Sequence, residues 1–247
     1  KEILRHLDEE LRIGEIPDYP GAHNGLQMEG AKRVSRVAAA VDASLPVVRR
    51  AAEAGADLLV VHHGMFWNGV KPVTGPTYAK FRTALDAGLA IYSVHIPLDV
   101  HPVLGNNARL VAALELDDPG PFLEWKGIQL GMCGRFEGSL DELVDRAGKV
   151  LGERPHVCPA GPEAAGMVGV ITGGAGGEVE AVAASGVDTF LTGEGPHWSF
   201  PAAEELGLNV LYGGHYATET FGVRAVGAHL SETFGVEWDF LDHPTGL

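Results

Sequence analysis

The sequence is poor in the features that would mark several common classes of protein. Its 247 residues include two cysteines, Cys133 and Cys158, and no CxxC pair, which argues against a disulfide-built scaffold and a cysteine zinc motif. No apolar run approaches the roughly 18 to 20 residues that a membrane-spanning helix needs, and the first residues lack the apolar core of a signal peptide. We therefore expect a cytoplasmic protein.

Basic residues are also scarce. Lysine and arginine number 18 against 33 acidic residues, so the formal net charge is −15. Binding to duplex nucleic acid requires a basic surface that neutralises phosphates, so nucleic acid is disfavoured as a partner. The hydrophobic fraction of 45% and the charged fraction of 21% are those of an ordinary folded globular chain.

Short apolar runs alternate with amphipathic stretches throughout the chain, and glycine or serine marks many of the ends, with Ser44 predicted to cap the helix over residues 45–54. In the first half, the predicted strands and helices alternate over residues 33–41, 45–54, 57–61, 78–87, 89–94 and 106–114. The helix over residues 78–87 is predicted to carry Tyr78, Phe81 and Leu85 on one apolar face. Such alternation is typical of an α/β fold whose sheets are mostly parallel and covered by helices.

The pattern breaks at residues 117–121 and then restarts. A predicted strand over residues 126–136 precedes a capping box at Ser139 and Glu142, and alternation continues to a last strand over residues 236–240. We therefore predict two similar α/β domains, an N-terminal domain of residues 1–124 and a C-terminal domain of residues 125–247.

Three predicted strands run directly into histidines at their carboxyl ends, where open parallel sheets bind ligands. The segments that follow these strands begin with His62 and His63, with His95, and with the glycines before His215. Two of them also carry a carboxylate, Asp99 and Glu219.

Imidazole and carboxylate are ligands of zinc, iron, nickel and manganese, and more than four convergent ligands favour two ions. Adjacent residues of a strand point to opposite sides, so His62 and His63 are expected to serve different ions. A helix after Gly214 would bring His215 and Glu219 onto one face, which suits Glu219 as a bridging ligand.

Other residues have simpler alternatives. His95 is interpreted either as an outer ligand or as a partner that orients Asp99. Glu194 and His197 follow another strand and are candidates for proton transfer, with a surface loop as the alternative. Isolated histidines are expected to be hydrogen-bonded structural residues; these are His6, His23, His101, His156, His229 and His243.

With these residues in view, the sequence resembles the Nif-three-like dinuclear metal centre family, whose members carry the label GTP cyclohydrolase I type two homologue. The resemblance spans nearly the whole chain. It is carried by five segments: Asn24-Gly25-Leu26-Gln27-Met28-Glu29-Gly30, His62-His63-Gly64-Met65-Phe66-Trp67, His95-Ile96-Pro97-Leu98-Asp99-Val100-His101-Pro102 with Leu104-Gly105-Asn106-Asn107, Thr192-Gly193-Glu194 and Gly214-His215-Tyr216-Ala217-Thr218-Glu219.

The resemblance implies a dinuclear metal site between the two domains and a toroidal homohexamer. By analogy with the family, one ion would be held by His63, Asp99 and Glu219, and the other by His62, His215 and Glu219. The two divalent ions would be iron, manganese, zinc or nickel.

These expectations favour a metal-dependent hydrolase of a small molecule, with Glu194 or His197 relaying protons. The family label suggests a purine nucleotide as substrate, opened at its ring with release of formate. Two alternatives stay open: a metal-dependent phosphoesterase, and a metal-binding hexameric assembly or regulatory protein without turnover.

Overall fold

The computed structural model describes residues 1–31, 33–67 and 69–247. The chain forms two compact units. The first contains Lys1–Leu98 and Gly222–His243, and the second contains Asp99–Phe221 and Pro244–Leu247. The predicted division between residues 124 and 125 lies inside the second unit.

The first unit is built on a five-stranded sheet in the order β1-β4-β3-β2-β11. Its elements are α1 (Glu2–Glu10), β1 (Gly25–Met28), β2 (Arg36–Asp42), α2 (Leu45–Glu53), β3 (Leu58–His63), α3 (Gly75–Ala87), β4 (Ala90–Ser93), most of α4 (Ile96–Asp99), most of α10 (Thr220–Phe234) and β11 (Glu237–Phe240). Strands β11, β2, β3 and β4 are parallel, and β1 pairs antiparallel with β4. The carboxyl ends of β2, β3 and β4 therefore meet at one edge of the sheet.

Local sequence explains the centre of this unit. All six residues of β3 are buried, as expected for a strand covered on both faces. The side chain of Ser44 accepts a hydrogen bond from the Val47 amide and caps α2, as predicted. Val47 and Val48 of that helix are buried in the core beside Leu59.

The second unit is built on a six-stranded sheet in the order β5-β6-β8-β9-β10-β7. Its elements are α5 (Asn106–Ala113), β5 (Asp117–Trp125), β6 (Ile128–Ser139), α6 (Leu140–Leu151), β7 (His156–Pro159), β8 (Ala164–Val170), a 3₁₀ turn (Gly176–Glu178), α7 (Val179–Ala184), β9 (Thr189–Thr192), α8 (Ser199–Leu206), β10 (Asn209–Tyr212) and α9 (His215–Thr218). Strands β8, β9 and β10 are parallel, and antiparallel strands flank them. The predicted α/β class with mostly parallel strands is confirmed.

The predicted interruption at residues 117–121 is wrong, since these residues begin β5 and pair with β6. Pro119 and Pro121 suggest a linker, but β5 is an edge strand of its sheet, where proline is tolerated. Asp118 has a positive φ of 48°, and the register shifts between Asp117 and Gly120. A β-bulge therefore accounts for the break in the pattern.

Two further expectations differ in detail. The last strand, β11, adds to the first sheet beside β2 rather than to the sheet of the second half. Tyr78 and Leu85 of α3, predicted on its apolar face, are 49% and 64% exposed, whereas Ala84 is buried. No helix of the described part of the chain is long and apolar enough to cross a membrane.

Candidate metal centre

In the first unit, His62 and His63 end β3 and are both buried. The parallel register aligns His63 with Asp42 of β2, and the Nδ1 atom of His63 lies 3.0 Å from Oδ1 of Asp42. The Nδ1 atom of His62 lies 3.0 Å from the carbonyl oxygen of Val94, just beyond β4. The two neighbouring strands thus hold the two rings.

His95 joins this pair from the end of the adjacent strand. Its Nδ1 atom lies 2.8 Å from Oδ1 of Asp18, whose other oxygen accepts hydrogen bonds from Asn24 and the Ile96 amide. Burial raises the pKa of Asp18, but its hydrogen bond and attraction to His95, followed by the hydrogen bonds from Asn24 and Tyr19, lower that pKa overall. Asp18 is therefore held as a carboxylate.

Together the three histidines form an imidazole cluster, defined as His62, His63 and His95. One ring nitrogen from each lies within 4.8 Å of the other two, so the cluster could hold a metal ion. The indole of Trp67 packs against it, with its ring centroid 4.3 Å from that of His95 and 5.2 Å from that of His63.

His62 and His63 lie side by side, with their ring centroids 4.8 Å apart. Paired ions in two-metal sites lie about 3.5 to 4 Å apart, so this spacing suits either one shared ion or one ion for each ring. That the two histidines serve different ions stays a prediction.

In the second unit, His215 and Glu219 form the corresponding pair. Helix α9 begins directly after Gly214, as predicted, and this turn brings Nε2 of His215 to 3.2 Å from Oε1 of Glu219. On the other side of the ring, Nδ1 of His215 lies 2.8 Å from Oε1 of Glu194. Glu219 is buried, whereas 28% of the His215 side chain is exposed.

The two carboxylates control the protonation of His215. Burial lowers the pKa of His215, but hydrogen bonds to and charges of Glu219 and then Glu194 raise the pKa to about 9. His215 is therefore protonated at neutral pH, and a cation bound by its Nε2 atom and Glu219 would displace that proton.

All four imidazoles are oriented in the same way. Each Nδ1 atom faces a carbonyl or carboxylate oxygen, which accepts a hydrogen bond, so Nδ1 is the protonated donor. When the ring is neutral, Nε2 is then the unprotonated nitrogen, whose electron pair can bind a metal. Metal-binding histidines are usually held in this way, so the donor set fits divalent ions.

The loop after β8 supports Glu219. Gly173 has a φ of +69°, and a Cβ atom built on it would collide with Oε1 of Glu219 and lie 3.2 Å from its Cδ. The carbonyl of Gly173 accepts hydrogen bonds from the amides of Gly193 and Glu194, and its amide donates to Thr218. Only glycine fits both this backbone conformation and the carboxylate.

Asp99 is held separately within the second unit. Its Oδ1 atom accepts hydrogen bonds from Nδ2 of Asn106 at 2.8 Å and from the hydroxyl of Thr172 at 3.2 Å. The side-chain oxygen of Asn107 accepts from the amide of Thr172 at 2.9 Å and fixes that residue. All four side chains are buried.

The two residues predicted to transfer protons, Glu194 and His197, line a cleft of about 490 Å³ in the second unit. Phe200, Tyr212 and His156 supply aromatic walls. The volume is within the range of small-molecule sites.

Several residues of the candidate site are missing from the sequence prediction. Asp42 directly follows a predicted strand, so the same strand-end rule identifies it. Thr172 also lies just after a strand. Asp18 lies in an irregular segment before β1, and no local pattern connects it with His95.

The fold and these clusters define an α/β protein with candidate metal-binding groups. A family model described as Duf34/NIF3 (NGG1p interacting factor 3) matches residues 1–245. The chain belongs to the Duf34/NIF3 family, and the predicted resemblance is confirmed.

Relatives match over the full chain. A "GTP cyclohydrolase 1 type 2 homolog" from Deinococcus radiodurans is 47% identical, covering 100% of this chain and 94% of the relative. A protein of the same name from Pyrococcus horikoshii is 40% identical, covering 100% of this chain and 98% of the relative. The crystal structure of TTHA1606 from Thermus thermophilus has a TM-score of 0.92 and 41% identity, covering 100% of this chain and 98% of that one.

Proposed function

We propose that this protein is a hydrolase that depends on a pair of divalent metal ions. The observation that supports this proposal most directly is the common orientation of four imidazoles, each with its Nδ1 atom hydrogen-bonded to an oxygen. As the family resemblance implies, the proposed ligands are His62, His63, Asp99, His215 and Glu219, with Glu219 shared. His95 is a further proposed metal ligand, because one of its ring nitrogens lies within 4.8 Å of those of His62 and His63.

Iron, manganese, zinc or nickel ions would supply Lewis acidity, lowering the pKa of water toward about 7 and polarising a carbonyl, phosphoryl or imine group. The chain's own contribution is positional. Asp42 and Asp18 orient His63 and His95, and Asn106 and Thr172 hold Asp99. Glu194 orients His215, and Glu194 or His197, which both line the cleft, is the proposed proton carrier.

The proposed substrate is a small molecule with a flat ring, of which a purine nucleotide is the leading candidate. The cleft of about 490 Å³ presents aromatic surface beside Glu194 and His197, which suits stacking of a ring with nearby proton transfer. The names of the relatives point to the same class. The proposed reaction hydrolyses the purine ring and releases formate.

The experiment uses protein stripped of metal and then loaded with manganese, iron or zinc. It is incubated with GTP while formate and inorganic phosphate are both measured. We expect metal-dependent formate release that is lost in His63→Gln and retained in His243→Gln, which changes a histidine outside the proposed centre. Phosphate without formate would instead identify a phosphoesterase, and absence of both products would contradict a hydrolase acting on GTP.

Assembly is a separate part of the proposal. The family resemblance implies a toroidal homohexamer of the 26.1 kDa chain. Sedimentation equilibrium measures the mass in solution directly. If ligand substitutions such as Glu219→Gln change this mass while a broad screen finds no turnover, the protein is a metal-dependent assembly rather than an enzyme.

A further inference from the structure

A second group of metal-ligating side chains lies in the first unit, away from the strand ends. His6 and Glu10 are four residues apart on α1, and His229 lies on α10. One ligand atom from each of these three residues lies within 4.8 Å of the other two. We call His6, Glu10 and His229 the helix cluster.

The core fixes the two helices that carry the cluster. Ile3 and Leu7 of α1 are buried, as are Val226 and Leu230 of α10. Residues four apart on a helix share a face, so Glu10 is placed on the same side of α1 as His6. The cluster therefore does not depend on a loop conformation.

The two imidazoles face each other through the same type of atom. Nε2 of His6 and Nε2 of His229 are 2.8 Å apart, and the ring planes differ by 15° with centroids 5.0 Å apart, so the rings meet end to end through these nitrogens. The ring of Phe234 packs against that of His6 at an angle of 76° and restricts its movement. At most one proton can lie between these nitrogens, so a neutral pair already directs one electron pair into this space.

The carboxylate of Glu10 adds an oxygen ligand to the two imidazole nitrogens. A hydrogen bond between two imidazoles needs no third group, whereas two nitrogens and a carboxylate oxygen are typical of zinc and related ions. Zinc–nitrogen bonds of about 2.0 to 2.1 Å at tetrahedral angles need nitrogens about 3.3 Å apart. The two nitrogens would have to separate by about 0.5 Å, and both rings would have to turn so that each Nε2 points at the same ion. Rotation about the side-chain bonds of His6 and His229 can supply both changes.

We propose that the helix cluster binds one divalent transition-metal ion of the zinc class and so links α1 to α10. Solvent would complete the coordination, because both histidines are only partly buried. The site shares no residue with the proposed dinuclear centre and does not depend on hydrolase activity.

The test is a zinc count on the metal-stripped full chain after it is reloaded with zinc, by elemental analysis after gel filtration. Wild-type protein should retain one zinc per chain more than His6→Gln or His229→Gln. His243→Gln, a histidine substitution in the same compact unit, should retain the wild-type number. The same difference is expected in a Glu219→Gln background, which separates this site from the proposed catalytic one.

A second measurement on wild-type protein covers the possibility that a variant misfolds. Diethyl pyrocarbonate modifies imidazole nitrogens, and peptide mass spectrometry locates each modified histidine. Zinc should protect His6 and His229 and leave His243 unchanged, and Glu10→Gln should require at least tenfold more zinc for that protection. Equal zinc counts in wild type and folded His229→Gln, or modification of His6 and His229 that zinc does not alter, would overturn the proposal.

Discussion

Gly173→Ala is a sharp test of how the chain positions Glu219. The substitution has two separable costs. An alanine at φ +69° costs about 1 to 2 kcal/mol because its Cβ crowds the backbone. The same Cβ would collide with the Glu219 carboxylate, and overpacking of this kind costs about 1 to 3 kcal/mol more.

Gly186→Ala provides the matched control. Gly186 is in the same compact unit and has a φ of +84°, but nothing lies within 4 Å of a Cβ built on it. It should show the backbone cost alone. For a chain of this size, 1 kcal/mol lowers the melting temperature by about 2 to 4 °C, so Gly186→Ala should lose about 2 to 8 °C.

Metal affinity separates the two variants more clearly than stability. Displacement of Glu219 in Gly173→Ala should weaken binding by more than the roughly 10- to 100-fold that loss of an outer hydrogen-bond partner costs. Gly186→Ala should bind as wild type does. Isothermal titration calorimetry with manganese or zinc, together with thermal melts of the stripped proteins, measures both quantities. Equal affinities and equal melting temperatures in the two variants would refute the steric argument.

Three further predictions test other parts of the structure. Asp42→Asn removes the negative charge behind His63 and should weaken metal binding about 10- to 100-fold by calorimetry; unchanged affinity would mean that Asp42 does not support a ligand. Ser139→Ala removes both the cap of α6 and its capping box, so the free energy of unfolding in urea should fall by about 1 kcal/mol, and an unchanged value would exclude a stabilising cap. Leu143→Ala truncates a fully buried side chain of the same helix and should cost about 2 to 5 kcal/mol in the same assay, whereas a cost below that of the cap would contradict its place in the core.

Local patterns predict the fold best where a single segment carries the whole signal. The caps at Ser44 and Ser139 and the buried run of β3 depend on neighbours in sequence, and all three are confirmed. The proline-containing strand β5 is misread because its edge position depends on pairing with β6. The pairing of β11 with β2 is also invisible locally, since about 200 residues separate their register partners Glu237 and Arg36.

The candidate site also combines features that depend on sequence neighbours with features that depend on long-range contacts. The end of a strand is a local feature, and it identifies His62, His63 and the turn that brings His215 to Glu219. The contact of Asp18 with His95 joins a loop to a strand end 77 residues later. An oxygen partner such as Asp18 can be identified only once the packing of the chain is known, because the periodicity of the sequence does not show it.

The place of β11 has a consequence for synthesis of the protein on the ribosome. The second unit consists mainly of one continuous stretch, Asp99–Phe221, whereas the first recruits Gly222–His243 from the far end of the chain. Nascent proteins commonly fold their amino-terminal domain first. Here the order is reversed at the final step, because β2 gains its outer neighbour only after the stretch Asp99–Phe221 of the second unit has been translated.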